Sequence, residues 1–252
     1  MINKLENKIY KLLRKSEKYT KTDMVYLAKG GFWLTLNQVI SSASAFLLVL
    51  AFANLLPKET YGEYKYILSI LGILSIPTLG GMGTAVVQAV ARGYEGSLSS
   101  ALKVKIRWGL LSSLASLSLA GYYWFNGNTT LTFSFLIASI FLPFFDTLSI
   151  YNALLQGKKL FKIASKFGII SKIIATITMI IAILFSKNIF IILTTYLASY
   201  TLLRLIFLNI TFKKHIKNNN EDSSTISYGK HLSLIGVIST IAAQIDKVKS
   251  YA

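Results

Sequence analysis

The chain has no cysteine and only two histidines among its 252 residues. The first absence excludes disulfides and thiolate metal sites, and the second leaves nothing from which a histidine cluster could be built. His215 and His231 both flank a polar stretch and read as interfacial loop residues. Charge is also scarce, at 15% of residues against roughly a quarter in a soluble domain. What charge there is has one dominant sign, with 27 Lys and Arg against 10 Asp and Glu, a net of +17. Hydrophobic residues make up 53% of the chain and mean hydropathy is +0.54, so lipid is the expected main solvent. A basic excess of this size fits either nucleic acid or an anionic membrane surface. It lies mostly in loops on one side of the apolar runs, so the membrane is the expected partner and nucleic acid is not.

Six long apolar runs are present, at about 31–56, 66–90, 108–125, 131–155, 168–186 and 189–211. Each is close to the roughly 20 residues that cross ~30 Å of hydrocarbon as a helix. The breaks between them carry Gly, Asn, Pro and Lys, as turn chemistry requires. Ala51-Phe52-Ala53 resembles a signal-peptide cleavage site, but the run before it is too long for a signal core, so the first span is expected to be retained. Sidedness follows from the basic residues. Twenty-one of the Lys and Arg fall in the N-terminal tail and alternate loops on one side, including Arg92, Lys103, Lys105, Arg107 and Lys172, and three (Lys58, Lys65, Lys187) on the other. The positive-inside rule then places the N-terminus in the cytoplasm. Residues 1–30 space Ile2, Leu5, Ile9, Leu12 and Leu13 along one helical face among lysines, the pattern of a helix lying on an anionic leaflet; a solvated basic tail fits as well.

A seventh apolar run, 233–252, meets Gln244, Asp246, Lys247 and Lys249 before it is long enough to span. Gly31–Ala45 aligns with Gly229–Ala243, Val39-Ile40-Ser41-Ser42 falling over Val237-Ile238-Ser239-Thr240. Parallel repeats of this kind occur in transporters. The expected fold class is therefore an all-α integral membrane protein. It has a basic segment 1–30, a six-helix transmembrane lobe 31–212, a cytoplasmic linker 213–232 and, in 233–252, an incomplete seventh helix that starts a second lobe, as if the natural product continued.

Polar groups inside the runs are the candidate pathway. Asp146 and Arg204 sit at similar depth in the fourth and sixth runs, where a charge costs at least about 2.5–3.5 kcal/mol and usually faces protein or water. They could pair with each other, or one could face a cavity, or Arg204 could snorkel to headgroups. Asn37, Gln38 and Ser41 in the first run could line a hydrated path or serve helix packing. Pro77 with Gly80, Gly81 and Gly83 marks a kink or hinge in the second. One Asp, no Cys and no His in the spans leave no catalytic pair, so no enzyme activity, cofactor or metal is expected.

The stretch Ala53–Tyr64, reading Leu-Leu-Pro-Lys-Glu-Thr-Tyr-Gly-Glu-Tyr at its end, resembles the first outer loop of bacterial polysaccharide flippases. Gly80–Arg92 is similar to that family's end of helix two, and Gln244–Lys247, with Asp246, to the start of its second lobe. The whole chain thus resembles the N-terminal half of a Wzx-like (O-antigen or repeat-unit) flippase of the oligosaccharide/multidrug exporter superfamily. The resemblance implies a two-lobed carrier that flips an undecaprenyl-pyrophosphate-linked oligosaccharide by alternating access. It also implies membrane lipid and polysaccharide polymerase or assembly proteins as partners, and a cation such as Arg204 facing the pyrophosphate. A drug antiporter of the same superfamily and a non-transporting scaffold of polysaccharide assembly are the other readings.

Overall fold

Asparagine, proline and glycine divide the apolar sequence into helices of spanning length. The computed structural model of the chain describes residues 14–15 and 23–251, the side chains of Leu27 and of residues 238–251 excepted. No strand occurs among the described residues. The surface helix expected from Ile2 to Leu13 lies outside them, as does the side chain of Asp246. The first helix, α1 (Met24–Leu55), begins inside the basic segment, where the Asp23 carboxylate accepts the Tyr26 N–H at 2.8 Å as an N-cap. There follow α2 (Lys58–Leu74), α3 (Met82–Ala91), α4 (Ser97–Phe125), α5 (Thr129–Phe145), α6 (Tyr151–Gly157), α7 (Phe161–Phe185), α8 (Ile189–His215) and α9 (Ser224–Tyr251). Asn128 and Asn188 cap α5 and α8 through their side chains. The seventh run thus belongs to a helix that starts at Ser224, within the stretch read as linker.

By length and composition four segments can cross a membrane: α1, Thr129–Gly157, α7 and α8. A fifth is the second run if its two parts count as one, because Lys58–Leu74 and Ile76–Ala91 meet at 44°. The third run falls short of the six expected for a chemical reason. Its helix, α4, has 29 residues, about 43 Å, but the C-terminal half carries Ser112, Ser113, Ser116 and Ser118. Two of these serines hold α5. Pro143 has no N–H, so the Ser139 carbonyl loses its helical partner, and the Ser113 hydroxyl donates to it at 2.6 Å. Ser116 donates likewise to the Phe135 carbonyl at 2.8 Å. The two helices approach closely here, since a Cβ at Gly109 would lie 2.9 Å from the Pro143 Cα.

The bundle has two apolar cores. One contains Phe52, Ile67, Phe135, Leu142, Met179 and Leu193; the other contains Met82, Val86, Leu98, Leu154, Phe207 and Leu208. Outside them, Phe46, Leu114, Ile140, Ile177 and Leu205 are exposed, the surface a bilayer covers. Tyr122, Trp124 and Phe125 are exposed at the end of α4, as in an interfacial aromatic belt.

At the basic end the chain after α8 is fastened rather than loose. Lys158 Nζ lies 2.6 Å from the buried Glu95 carboxylate, which also accepts the Lys217 N–H at 2.6 Å. Gly96 N–H donates to the Asn220 carbonyl, and Arg92 pairs with Asp222 at 2.7 Å. Burial works against the Glu95 anion, but the Lys158 and Lys217 hydrogen bonds outweigh it and hold its pKa below the ordinary glutamate value. A carboxyl whose pKa is lowered on folding adds stability above its unfolded pKa, and that stability disappears as pH falls through the folded value. The melting temperature in detergent should therefore drop as pH falls below the ordinary glutamate range. Glu95→Gln should melt lower at neutral pH and lack that acid step. An identical profile in both proteins would refute the latch.

Candidate functional site

Two helices break at the boundary between the two cores, and the charged groups collect there. Along the second run, α2 ends at Leu74 and a 3-10 turn, Ile76–Thr78, contains Pro77. Leu79 then takes the left-handed conformation at φ 57° before α3 begins. Along the fourth, α5 ends at Phe145 and Asp146 opens a second 3-10 turn, Thr147–Ile150, that leads into α6. Breaks of this kind are tolerated at membrane depth only where the freed backbone groups find partners in protein or water.

Lys105 supplies one such partner. Its Nζ donates to the Asp146 carboxylate at 2.9 Å and approaches the Leu79 carbonyl at 3.4 Å. The Thr78 hydroxyl lies 3.1 Å from the same carboxylate oxygen. One ammonium and one carboxylate thus join α4 to both breaks. The two groups differ in access: the Lys105 side chain is 4% exposed and that of Asp146 40%. Asp146 lies between two cavities. One, of about 430 Å³, includes Gly80, Gly83, Thr84, Asn152 and Gln156; the other, of about 320 Å³, includes Ser75, Gly81, Ser233 and Gly236. A larger cavity of about 530 Å³ lies elsewhere, beside the exposed Glu59 and Glu63. Among the described residues it holds no ion pair, so the break carries the stronger chemical argument.

The residues singled out in the sequence separate into groups. Asp146 and the glycines Gly80, Gly81 and Gly83 come together around these cavities. Arg204 stands nearby but does not pair with Asp146. Its guanidinium donates to the Phe145 carbonyl at the same break and lies over the Phe145 and Tyr200 rings, at 4.7 and 5.4 Å. Asn37 is elsewhere, half-buried on α1, where a Cβ on Gly168 of α7 would come within 2.7 Å of its Oδ1. That is helix packing. Gln38 is exposed and Ser41 half-buried on the same helix, and Ser41 lines a separate cavity. Gly81 has a second role, because its N–H donates to Ser233 Oγ of α9 at 3.1 Å.

Lys105 is the residue that sequence reasoning misplaced, by assigning it to a loop. A signal was available: Ala101, Lys105, Gly109, Ser112, Ser116 and Ala120 recur at helical spacing, and all are buried. A lysine within a stripe of small residues is a lysine inside the bundle. Among the described residues, no three imidazole or carboxylate groups come together where they could hold a metal ion.

The node, the lipid-facing apolar surface and the basic end describe a multi-pass membrane protein. No curated protein and no solved structure gives a significant match. A family model described as polysaccharide biosynthesis protein matches residues 27–251. Covering the described helices from residue 27 onward, that match shows that the chain belongs to the polysaccharide biosynthesis protein family.

Proposed function

We propose that the chain is a lobe of a carrier that flips lipid-linked oligosaccharide repeat units, built on undecaprenyl pyrophosphate, across the bacterial cytoplasmic membrane. The N-terminus is cytoplasmic, residues 31–212 form the moving lobe, and α9 is the first helix of a second one. The observation that carries this reading is the ion-paired meeting of two broken helices beside cavities at membrane depth. A scaffold needs no such arrangement, since buried charge is costly and broken helices add less stability than continuous ones. An alternating-access carrier does need an element with two arrangements of similar energy. Breaks at Pro77–Gly81 and at Asp146 provide joints, and Lys105–Asp146 closes them. The sugar headgroup would cross through the cavities while the isoprenoid chain stays in lipid. Catalysis has no place in this scheme, and polysaccharide polymerases or other assembly proteins would take the product.

The test is a flipping assay in cells whose surface polysaccharide depends on this gene. Asp146→Asn at normal membrane abundance should leave the lipid-linked unit in the inner leaflet and lower surface polysaccharide at least tenfold. Full surface polysaccharide with this variant would refute the mechanism. Unchanged polysaccharide after deletion of the gene, with altered resistance to cytotoxic cations, would favour the antiporter instead.

A further inference from the structure

A second cavity, separate from the Asp146 node, has the composition of a phosphate site. It measures about 220 Å³ and lies where α1, α2, α7 and α8 converge. Lys65 of α2 and Lys172 of α7 both line it, with the hydroxyl-bearing Ser41, Ser44 and Thr176. Among the described residues no Asp or Glu lines it. Both lysines lie well inside their helices. Lys172 is eleven residues, about 16 Å, beyond the start of α7, and Lys65 is seven residues, about 10 Å, from the start of α2. Their aromatic neighbours are Tyr200, whose ring centre is 5.5 Å from Lys172 Nζ, and Tyr61, 5.4 Å from Lys65 Nζ. Aromatic faces attract a cation but do not neutralise it.

Intramembrane cations ordinarily face a partner of opposite charge, and among the described residues no ion pair holds Lys65 or Lys172. Asp146, the carboxylate of the fourth run, is held by Lys105 instead. We infer that Lys65 and Lys172 bind the phosphate group of an anionic lipid in this cavity, with the serine and threonine hydroxyls as further donors. Lys172, counted from sequence among the basic residues of one side, is then a ligand-binding one. The wall of Ala45, Leu48, Val49 and Leu68 is apolar, as a lipid's chain-bearing side requires. The inference rests on the proposed transport reading only for which lipid is bound. A resident anionic phospholipid and the carried isoprenoid phosphate share the chemistry.

Native mass spectrometry of the full chain in detergent tests it, with phosphatidic acid, farnesyl diphosphate, inorganic pyrophosphate and diacylglycerol as probes. Phosphatidic acid or farnesyl diphosphate should bind one equivalent at least tenfold more tightly than diacylglycerol. Lys65→Gln with Lys172→Gln should abolish that preference, and Lys65→Arg with Lys172→Arg should keep it, which controls for folding. Stronger binding of farnesyl diphosphate assigns the site to the carried lipid. Stronger binding of phosphatidic acid assigns it to a resident phospholipid, and equal binding of inorganic pyrophosphate to headgroup recognition alone. Asp146→Asn should bind like the parent, so failure of the transport reading and failure of this site give different results. No preference for phosphate in the parent, or an unchanged preference in the double glutamine variant, would overturn the inference.

Discussion

Asp146→Ala should destabilise the protein by about 3–5 kcal/mol, because it leaves the Lys105 ammonium buried without its counter-charge. The loss is larger than the worth of the pair itself. Removing both charges with apolar residues of similar size, Lys105→Met with Asp146→Leu, should restore most of the lost stability. The double variant should nevertheless remain inactive in transport. The ammonium and the carboxylate join α4 to the turn at Thr78–Leu79 and to the turn after Phe145, and an apolar pair cannot form and release those contacts. Thermal melting of the two single variants and the double gives the coupling energy, and the flipping assay gives the function. A loss in the double variant equal to the sum of the two single losses would show that the residues do not interact. Transport by the double variant would show that the pair is structural only.

The helical class was legible because lipid leaves a plain record in sequence. Runs near twenty residues, separated by Pro57, Asn126 and Asn188, read directly as helices, and a helix break at Pro77 was legible from ring chemistry alone. What could not be read was which charge meets which. Asp146 and Arg204 stood out as lone charges in apolar runs. The partner of Asp146 was hidden because Lys105 sits among Lys103 and Arg107, where a basic loop was expected. Loop and helix differ there only in the small residues spaced around it, and α4 begins at Ser97 rather than near Arg107. For Arg204 the sequence leaves a cavity group, a partner of Asp146 and a snorkelling residue open; it satisfies a carbonyl freed by the turn after α5, a need that exists only once the break does. The serines of α4 were similarly opaque. They lower its hydropathy, but Ser113 is the donor that Pro143 makes necessary one helix away. Long-range satisfaction of backbone groups leaves no periodic signal.

Gly81 shows the same limit, and it yields the second large effect. Its sequence context, after Pro77 and beside Gly80, suggests flexibility. Its surroundings instead demand a missing side chain: an added Cβ would lie 2.5 Å from the Ser233 nitrogen and 2.6 Å from the Leu232 carbonyl carbon. Both are backbone atoms of α9 and cannot turn aside as a side-chain tip would. A second close approach, with Gly229 against Met82, fixes the same crossing. Gly81→Val should therefore drive α9 off the break, remove the 3.1 Å bond from Gly81 N–H to Ser233 and cost on the order of 1–3 kcal/mol, the range for overpacking. The chain's lack of cysteine supplies a clean reporter. Ser233→Cys places one thiol at a buried position, 8% exposed, and should react slowly with a membrane-permeant maleimide. Adding Gly81→Val should raise that rate at least tenfold, whereas Gly80→Val, a site where a Cβ meets nothing within 4 Å, should leave it nearly unchanged. If both valines raised labelling equally, the effect would come from general loosening of the break. If neither did, α9 would not be seated on Gly81, and the proposed joint between the lobe and the helix that follows it would have to lie elsewhere.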